Sequence, residues 1–157
     1  MTQNITPTQR LAELGITLPS PAVPAAAYVP VVRTGNLLFV SGQLSMTSDG
    51  IIKGCLGKNI SIEDAQIGAR HAALGVLAQI VHTAKIPLEQ ISQIVKLTIF
   101  VASTPDFDQQ HIVANGGSNV LADILGDKGA HARAAFGVAS IPMGAAVEIE
   151  AIVEVAE

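Results

Sequence analysis

Charge is scarce in this chain. Only 14% of its 157 residues are Asp, Glu, Lys or Arg, while 49% are hydrophobic; an ordinary globular domain carries about 25% charged residues. So little charge leaves a wide apolar surface, and such a surface marks a contact with another molecule. Most soluble oligomers are symmetric assemblies of one chain, so further copies of this chain are the simplest cover. The charges present, nine basic against thirteen acidic, sum to −4. An acidic excess without a basic stripe excludes broad binding to a nucleic-acid backbone. Aromatic residues make up 3%, Trp is absent and Tyr28 is the only tyrosine, which excludes a base-stacking platform. The single cysteine, Cys55, rules out an intrachain disulfide and a multi-cysteine metal site. It follows a glycine in a short predicted strand and reads as a buried, inert thiol. No run reaches the roughly 20 apolar residues of a membrane span. The opening "MTQNITPTQRLAELG" lacks the basic and apolar regions of a secretory signal. These absences predict a cytoplasmic protein without membrane or nucleic-acid partners.

What is present organises as one domain over residues 1–157, with 1–27 as an N-terminal helix and connector. Thr6, Pro7, Gln9 and Gly15 supply the cap, first-turn and stop signals of a short helix. A Pro- and Ala-rich connector follows. The stretch "YVPVVRTGNLLFVSGQLS" reads as two strands around a turn, with Leu38 and Val40 facing opposite to Leu37, Phe39 and Ser41. A short strand after Asp49-Gly50 is also predicted. Residues 61–85 give the clearest signal. Ser61 is the cap, and Ala65, Ala69, Ala72, Ala73, Val76, Ile80 and Ala84 form a helical stripe. A strand follows, with Val95, Leu97, Ile99 and Val101 on one side. A second helical region is then expected to be interrupted at Gly116-Gly117.

The chain closes with "HARAAFGVAS" and "AVEIEAIVEV", two strands joined by a turn. Alternation puts Arg133, Ala135 and Gly137 in one row and Phe136 and Val138 in the other. In the last strand Val147, Ile149, Ala151, Val153 and Val155 suit a helix-covered face, with Glu148, Glu150 and Glu154 opposite. Arg133 and these carboxylates are expected to share the uncovered face, where a neighbouring subunit packs. The order of elements predicts an α+β sandwich with both main helices on one face of a mixed sheet.

Four stretches, "YVPVVRTGNLLFVSGQ", "VKLTIFVAS", "HARAAFGVASIP" and "VEIEAIVEV", resemble the Rid (YjgF-type) family from about Tyr28 to Val155. The resemblance implies a chorismate-mutase-like fold, a homotrimer, and hydrolysis of enamines and imines such as 2-aminoacrylate to 2-keto acids. It implies a small carboxylate-bearing metabolite as partner, with no cofactor and no metal. Arg133 falls at the arginine that grips the substrate carboxylate, a task a planar, permanently charged fork suits; a salt bridge to a glutamate across the interface is the other reading. Glu148 matches the glutamate that positions water, or it pairs with Arg133 or Lys96. Tyr28 lines the family pocket from a neighbouring chain or covers a core edge. Ser41 and Gly42 match a turn that approaches the ligand, or form an ordinary bulge.

This chain departs from the family's pattern at Ala134-Ala135, where deaminating members carry Ser-Cys. Only main-chain groups at Ala135 are left to meet the substrate amine. His111 stands where those members have an asparagine, and Asn115 is a candidate substitute. His71 and His82 are spaced as helix-edge residues rather than metal ligands, and His131 sits in the Arg133 row, tuning a pocket or capping the strand. The alternative function is a non-catalytic module that binds a keto acid as sensor or regulator. Chorismate rearrangement is set aside, since four scattered arginines suit a dianion poorly, and RNA cleavage because no basic stripe exists.

Overall fold

The computed structural model describes residues 4–24 and 26–157. Residues 1–3 and Ala25, part of the expected helix-and-connector segment 1–27, lie outside the described residues. Helix α1 (Pro7–Glu13) starts from a reciprocal cap. Gln9 N–H donates to the Thr6 hydroxyl at 3.2 Å, and Thr6 N–H donates to the Gln9 side chain at 2.9 Å. The connector leads to a hairpin of β1 (Val31–Thr34) and β2 (Leu37–Leu44), turned at Gly35, whose φ of 55° suits glycine. A two-residue ribbon, β3 (Met46–Thr47) with β4 (Gly50–Ile51), follows.

Helix α2 (Ile62–Ala78) is capped by Ser61, whose hydroxyl accepts from Asp64 N–H, and it continues into a π-helical turn over Gln79–Thr83. Then come β5 (Ile91–Ala102), α3 (Gln110–Leu125), β6 (Ala132–Val138) and β7 (Val147–Val155). The main sheet has the order β1-β2-β7-β5-β6, antiparallel except for β5 with β6. A parallel pair needs a long crossover, and α3 supplies it. The two closing strands are therefore not a hairpin, because β5 lies between them.

Both long helices cover one face. Ala65, Ala69, Ala72 and Ala73 of α2 are fully buried, and their small side chains bring α3 close. The expected break at Gly116-Gly117 does not occur, and α3 runs straight through. A methyl on Gly116 would overlap the Gln66 carbonyl of α2, and one on Gly117 would lie 2.8 Å from Ile149 Cδ1. Each glycine costs the helix about 1 kcal/mol of propensity, and the close packing of α3 on α2 and β7 offsets it. Beneath the helices, Leu38, Leu97, Ile99, Ile149 and Val153 are fully buried. The expected alternation on β5 fails at Val95. An irregularity between Ile94 and Lys96 turns Ile94 inward and Val95 out, and the pattern resumes at Leu97. Among the described residues no helix covers the other face of the sheet. Val32, Phe39 and Phe136 are half-exposed there, with Phe100 and Phe136 edge to face at 5.3 Å.

Candidate functional site

The acidic half of the site is built by a bulge. Val40 pairs with Ala151 and Gln43 with Ile149, so Ser41 and Gly42 together oppose the single residue Glu150. The extra residue brings Gly42 over the Glu148 side chain, and a methyl on Gly42 would overlap the Glu148 carboxyl. Any side chain at this position would have to displace the Glu148 carboxyl. Glu148 is half-buried on the uncovered face, paired across to Leu44 and Phe100. Burial, and next the charge of Glu150, push its carboxyl above the usual carboxylate range. Ser41 Oγ is buried and has no hydrogen-bond partner. Tyr28, Ser41 and Gly42 line one cavity of about 340 Å³ beside this bulge. Of the residues singled out by sequence, Tyr28, Ser41 and Gly42 thus share one cavity, and Glu148 adjoins it through its contact with Gly42.

Arg133 and Ala135 do not join them. Arg133 pairs with Leu97, and Leu97 with Ala151, all on the helix-covered side. Ala135 pairs with Ile99 on that same side, whereas Glu148 pairs with Phe100 on the other. The expected shared face for Arg133 and Glu148 is overturned. The physical reason is that β6 is an edge strand with both rows partly exposed. Alternation tells which of its residues share a row, but only the register against β5 tells which row meets the helices.

What Arg133 meets is α3. Its Nη1 donates to Asn115 Oδ1 at 2.9 Å and to Ser118 Oγ at 3.1 Å, and its Nη2 to the His111 carbonyl at 3.3 Å. Asn115 and Ser118 are three apart and so present one helix face. A guanidinium has five N–H donors; three are used, and two remain on an exposed side chain. His131 completes the scaffold. Its Nδ1–H donates to the Gly129 carbonyl at 2.6 Å, so Nε2 accepts from the Ser118 hydroxyl at 2.9 Å. The Ser118 oxygen is then free to accept from Arg133. His111 contributes its carbonyl rather than its imidazole, and Ser118 was not singled out by sequence because its role depends on the α3–β6 contact.

The ion-pair readings of these residues find no support within the protomer. Among the described residues the one salt bridge is Arg10 with Glu13 at 4.0 Å. Glu150 and Glu154 are exposed, with Lys96 and Glu150 bordering a second cavity of about 370 Å³ on the uncovered face. Cys55 is partly exposed rather than buried, its thiol 3.8 Å from the Leu56 carbonyl. His71 is half-buried against the cavity; burial, and next Arg70, hold its imidazole below the ordinary value. Among the described residues no helix is long and apolar enough to cross a membrane.

A family model described as Endoribonuclease L-PSP matches residues 19–155. Protein TCP17 of Trypanosoma cruzi is 44% identical over 146 residues, covering 92% of this chain and 91% of that protein. The crystal structure of Atu1372, a protein of unknown function from Agrobacterium tumefaciens, is 47% identical with a TM-score of 0.88, covering 97% of this chain and 94% of that one. The structure of E. coli TdcF with bound serine is 26% identical with a TM-score of 0.59, covering 89% and 96%.

Proposed function

We propose that this chain, which belongs to the Endoribonuclease L-PSP family of YjgF- and RidA-type proteins, hydrolyses reactive enamines and imines of 2-amino acids to 2-keto acids and ammonia. The site is completed by two protomers of a homotrimer. One contributes Arg133, with its two free donors, and the main chain at Ala135. The other contributes Glu148, Tyr28, Ser41 and Gly42. The opposite faces occupied by Arg133 and Glu148 motivate this division, and the half-exposed Val32, Phe39 and Phe136 supply an apolar surface for the neighbour to cover.

The observation that carries the reading is the Glu148 carboxyl, half-buried under the bulge with a raised pKa and, among the described residues, no salt-bridge partner. A carboxyl poised nearer neutrality exchanges protons in both directions. An enamine first tautomerises to the imine. Glu148 protonates the imine nitrogen, water adds to the carbon and returns a proton to the carboxylate, and the tetrahedral adduct collapses to the keto acid and ammonia. Arg133 of the first protomer holds the substrate carboxylate as a charge-assisted pair. The bound serine of TdcF, a small molecule with a carboxylate and an amine on one carbon, is consistent with this ligand class. The family description names an endoribonuclease, but this acidic chain offers no basic stripe for RNA.

One observation favours a second reading, a binding module for keto acids. Ala134 and Ala135 leave no hydroxyl or thiol on the strand residues that follow Arg133 to meet an amine. A lyase that generates an enamine in situ separates the two. Accelerated keto-acid release that Arg133→Ala abolishes supports hydrolysis. Saturable keto-acid binding that Arg133→Ala removes, without acceleration by the native protein, supports the module.

A further inference from the structure

We infer that the cavity beside the β2 bulge is a side-chain subsite, selecting 2-imino and 2-oxo acids that carry an extended hydrocarbon chain. The inference rests on the hydrolytic reading above, because it follows the third substituent of the reacting carbon. With the carboxylate on Arg133 of one protomer and the nitrogen and water at Glu148 of the other, the remaining substituent faces the Tyr28–Ser41–Gly42 wall.

That wall opens into a cavity of about 340 Å³, within the range of small-molecule sites. It is bordered by the N-terminal connector, including Pro19, Val23 and Pro24, by the bulge as far as Leu44 and Met46, and by α2 with its π-helical extension. His71, Gly75 and Gln79, four residues apart, present one helical face to it. Among the described residues no Asp, Glu, Lys or Arg borders it, and burial lowers the pKa of His71, which favours its uncharged form. An uncharged wall of prolines, Leu, Val and Met suits hydrocarbon and not a second ionised group.

The cavity is held open by a connected set of buried amides. Gln79, 1% exposed, donates to the Ala22 carbonyl at 3.0 Å and to Gln43 Oε1 at 3.3 Å, and accepts from Thr83 Oγ1 at 2.6 Å. Gln43 in turn donates to the Ser41 carbonyl at 3.0 Å. One chain of hydrogen bonds therefore ties connector, helix and bulge together, so the space is preformed and fixed to the residue next to Gly42 and Glu148. Gln79 opens the π-helical turn, a kind of turn that recurs at functional sites. A 2-aminoacrylate-sized substrate has one carbon beyond the reacting centre and reaches no further than Gly42, the cavity residue that adjoins Glu148.

Calorimetric titration with pyruvate, 2-oxobutyrate, 2-oxopentanoate and 2-oxohexanoate tests the subsite. Affinity is expected to rise about fourfold with each added methylene. Ala22→Phe and, separately, Ser20→Phe, both at exposed connector positions that border the cavity, are expected to flatten the series, with melting curves showing that each variant is folded. Equal affinity along the series overturns the inference, and so does a rising series that both folded variants leave unchanged. The readout is binding and not turnover. A rising series without imine hydrolysis therefore sinks the hydrolytic reading alone, and hydrolysis with a flat series sinks the subsite alone.

Discussion

The bulge of β2 and the edge formed by β6 with α3 tune a charged group in opposite ways. At the bulge, Glu148 is half-buried, has no salt-bridge partner among the described residues, and is held by shape: the missing side chain of Gly42 leaves just enough room for its carboxyl. At the edge, Arg133 is exposed and held by bonds to Asn115, Ser118 and the His111 carbonyl. Burial adjusts a proton equilibrium because it penalises the charged form. Hydrogen bonds aim a permanent charge without altering its protonation. The acid is thus adapted for moving protons and the arginine for orienting an anion. The comparison also explains why removing bulk matters at one place and removing polar atoms at the other.

The harshest way to break the contrast is to remove the anchor. Arg133→Ala is expected to lower kcat/KM by about a hundredfold or more, and Arg133→Lys to recover little, since an ammonium cannot keep α3's acceptors and a carboxylate in one planar fork. Steady-state kinetics on an enamine generated in situ measure both. Next comes Gly42→Ala. The new methyl overlaps only the far end of the Glu148 side chain, so the melting temperature should hardly change while kcat falls by about tenfold to a hundredfold as the carboxyl is displaced. A melting temperature that drops together with kcat would mean that the glycine serves packing.

Smaller effects sharpen the picture of the edge. Asn115→Ala or Ser118→Ala each removes one bond to Arg133, which corresponds to roughly a threefold to tenfold rise in KM, with kcat little changed. The mildest test concerns stability. The pKa of Glu148 is raised in the folded state above the value of 4.5, so the folded chain binds more protons than the unfolded one as pH climbs through and above that value. Stability from this group is present at low pH and is lost as pH rises through the folded pKa. Glu148→Gln should therefore raise the melting temperature slightly at pH 7 and leave it unchanged below pH 4.5. A loss of stability at pH 7 would contradict the burial account.

Much of this architecture was legible in the residues themselves. The Thr6–Gln9 cap, the alanine stripe of α2 and the alternation of β7 are local patterns whose period matches the element they form. Tyr28, Ser41 and Gly42 are singled out through the family resemblance, whose pocket tyrosine and Ser-Gly turn they match. What escaped depends on contacts distant in sequence. The side of the sheet taken by Arg133 is decided by pairing with Leu97, thirty-six positions earlier. The Gly116-Gly117 break was outweighed by packing against Gln66 and Ile149. The Ser118–His131 link and the Gln43–Gln79 link join elements that no periodicity connects.

The central claim is that Arg133 and Glu148 act together only across two protomers. Subunit mixing tests it directly. Arg133→Ala and Glu148→Ala proteins, each inactive alone, are unfolded, combined in equal amounts and refolded. In a cyclic trimer with shared sites, random assembly regenerates intact Arg133–Glu148 pairs at about a quarter of the sites. About a quarter of the native hydrolytic activity is the predicted result. A mixture as inactive as its parents, with mixed trimers demonstrated by native mass spectrometry, would contradict it.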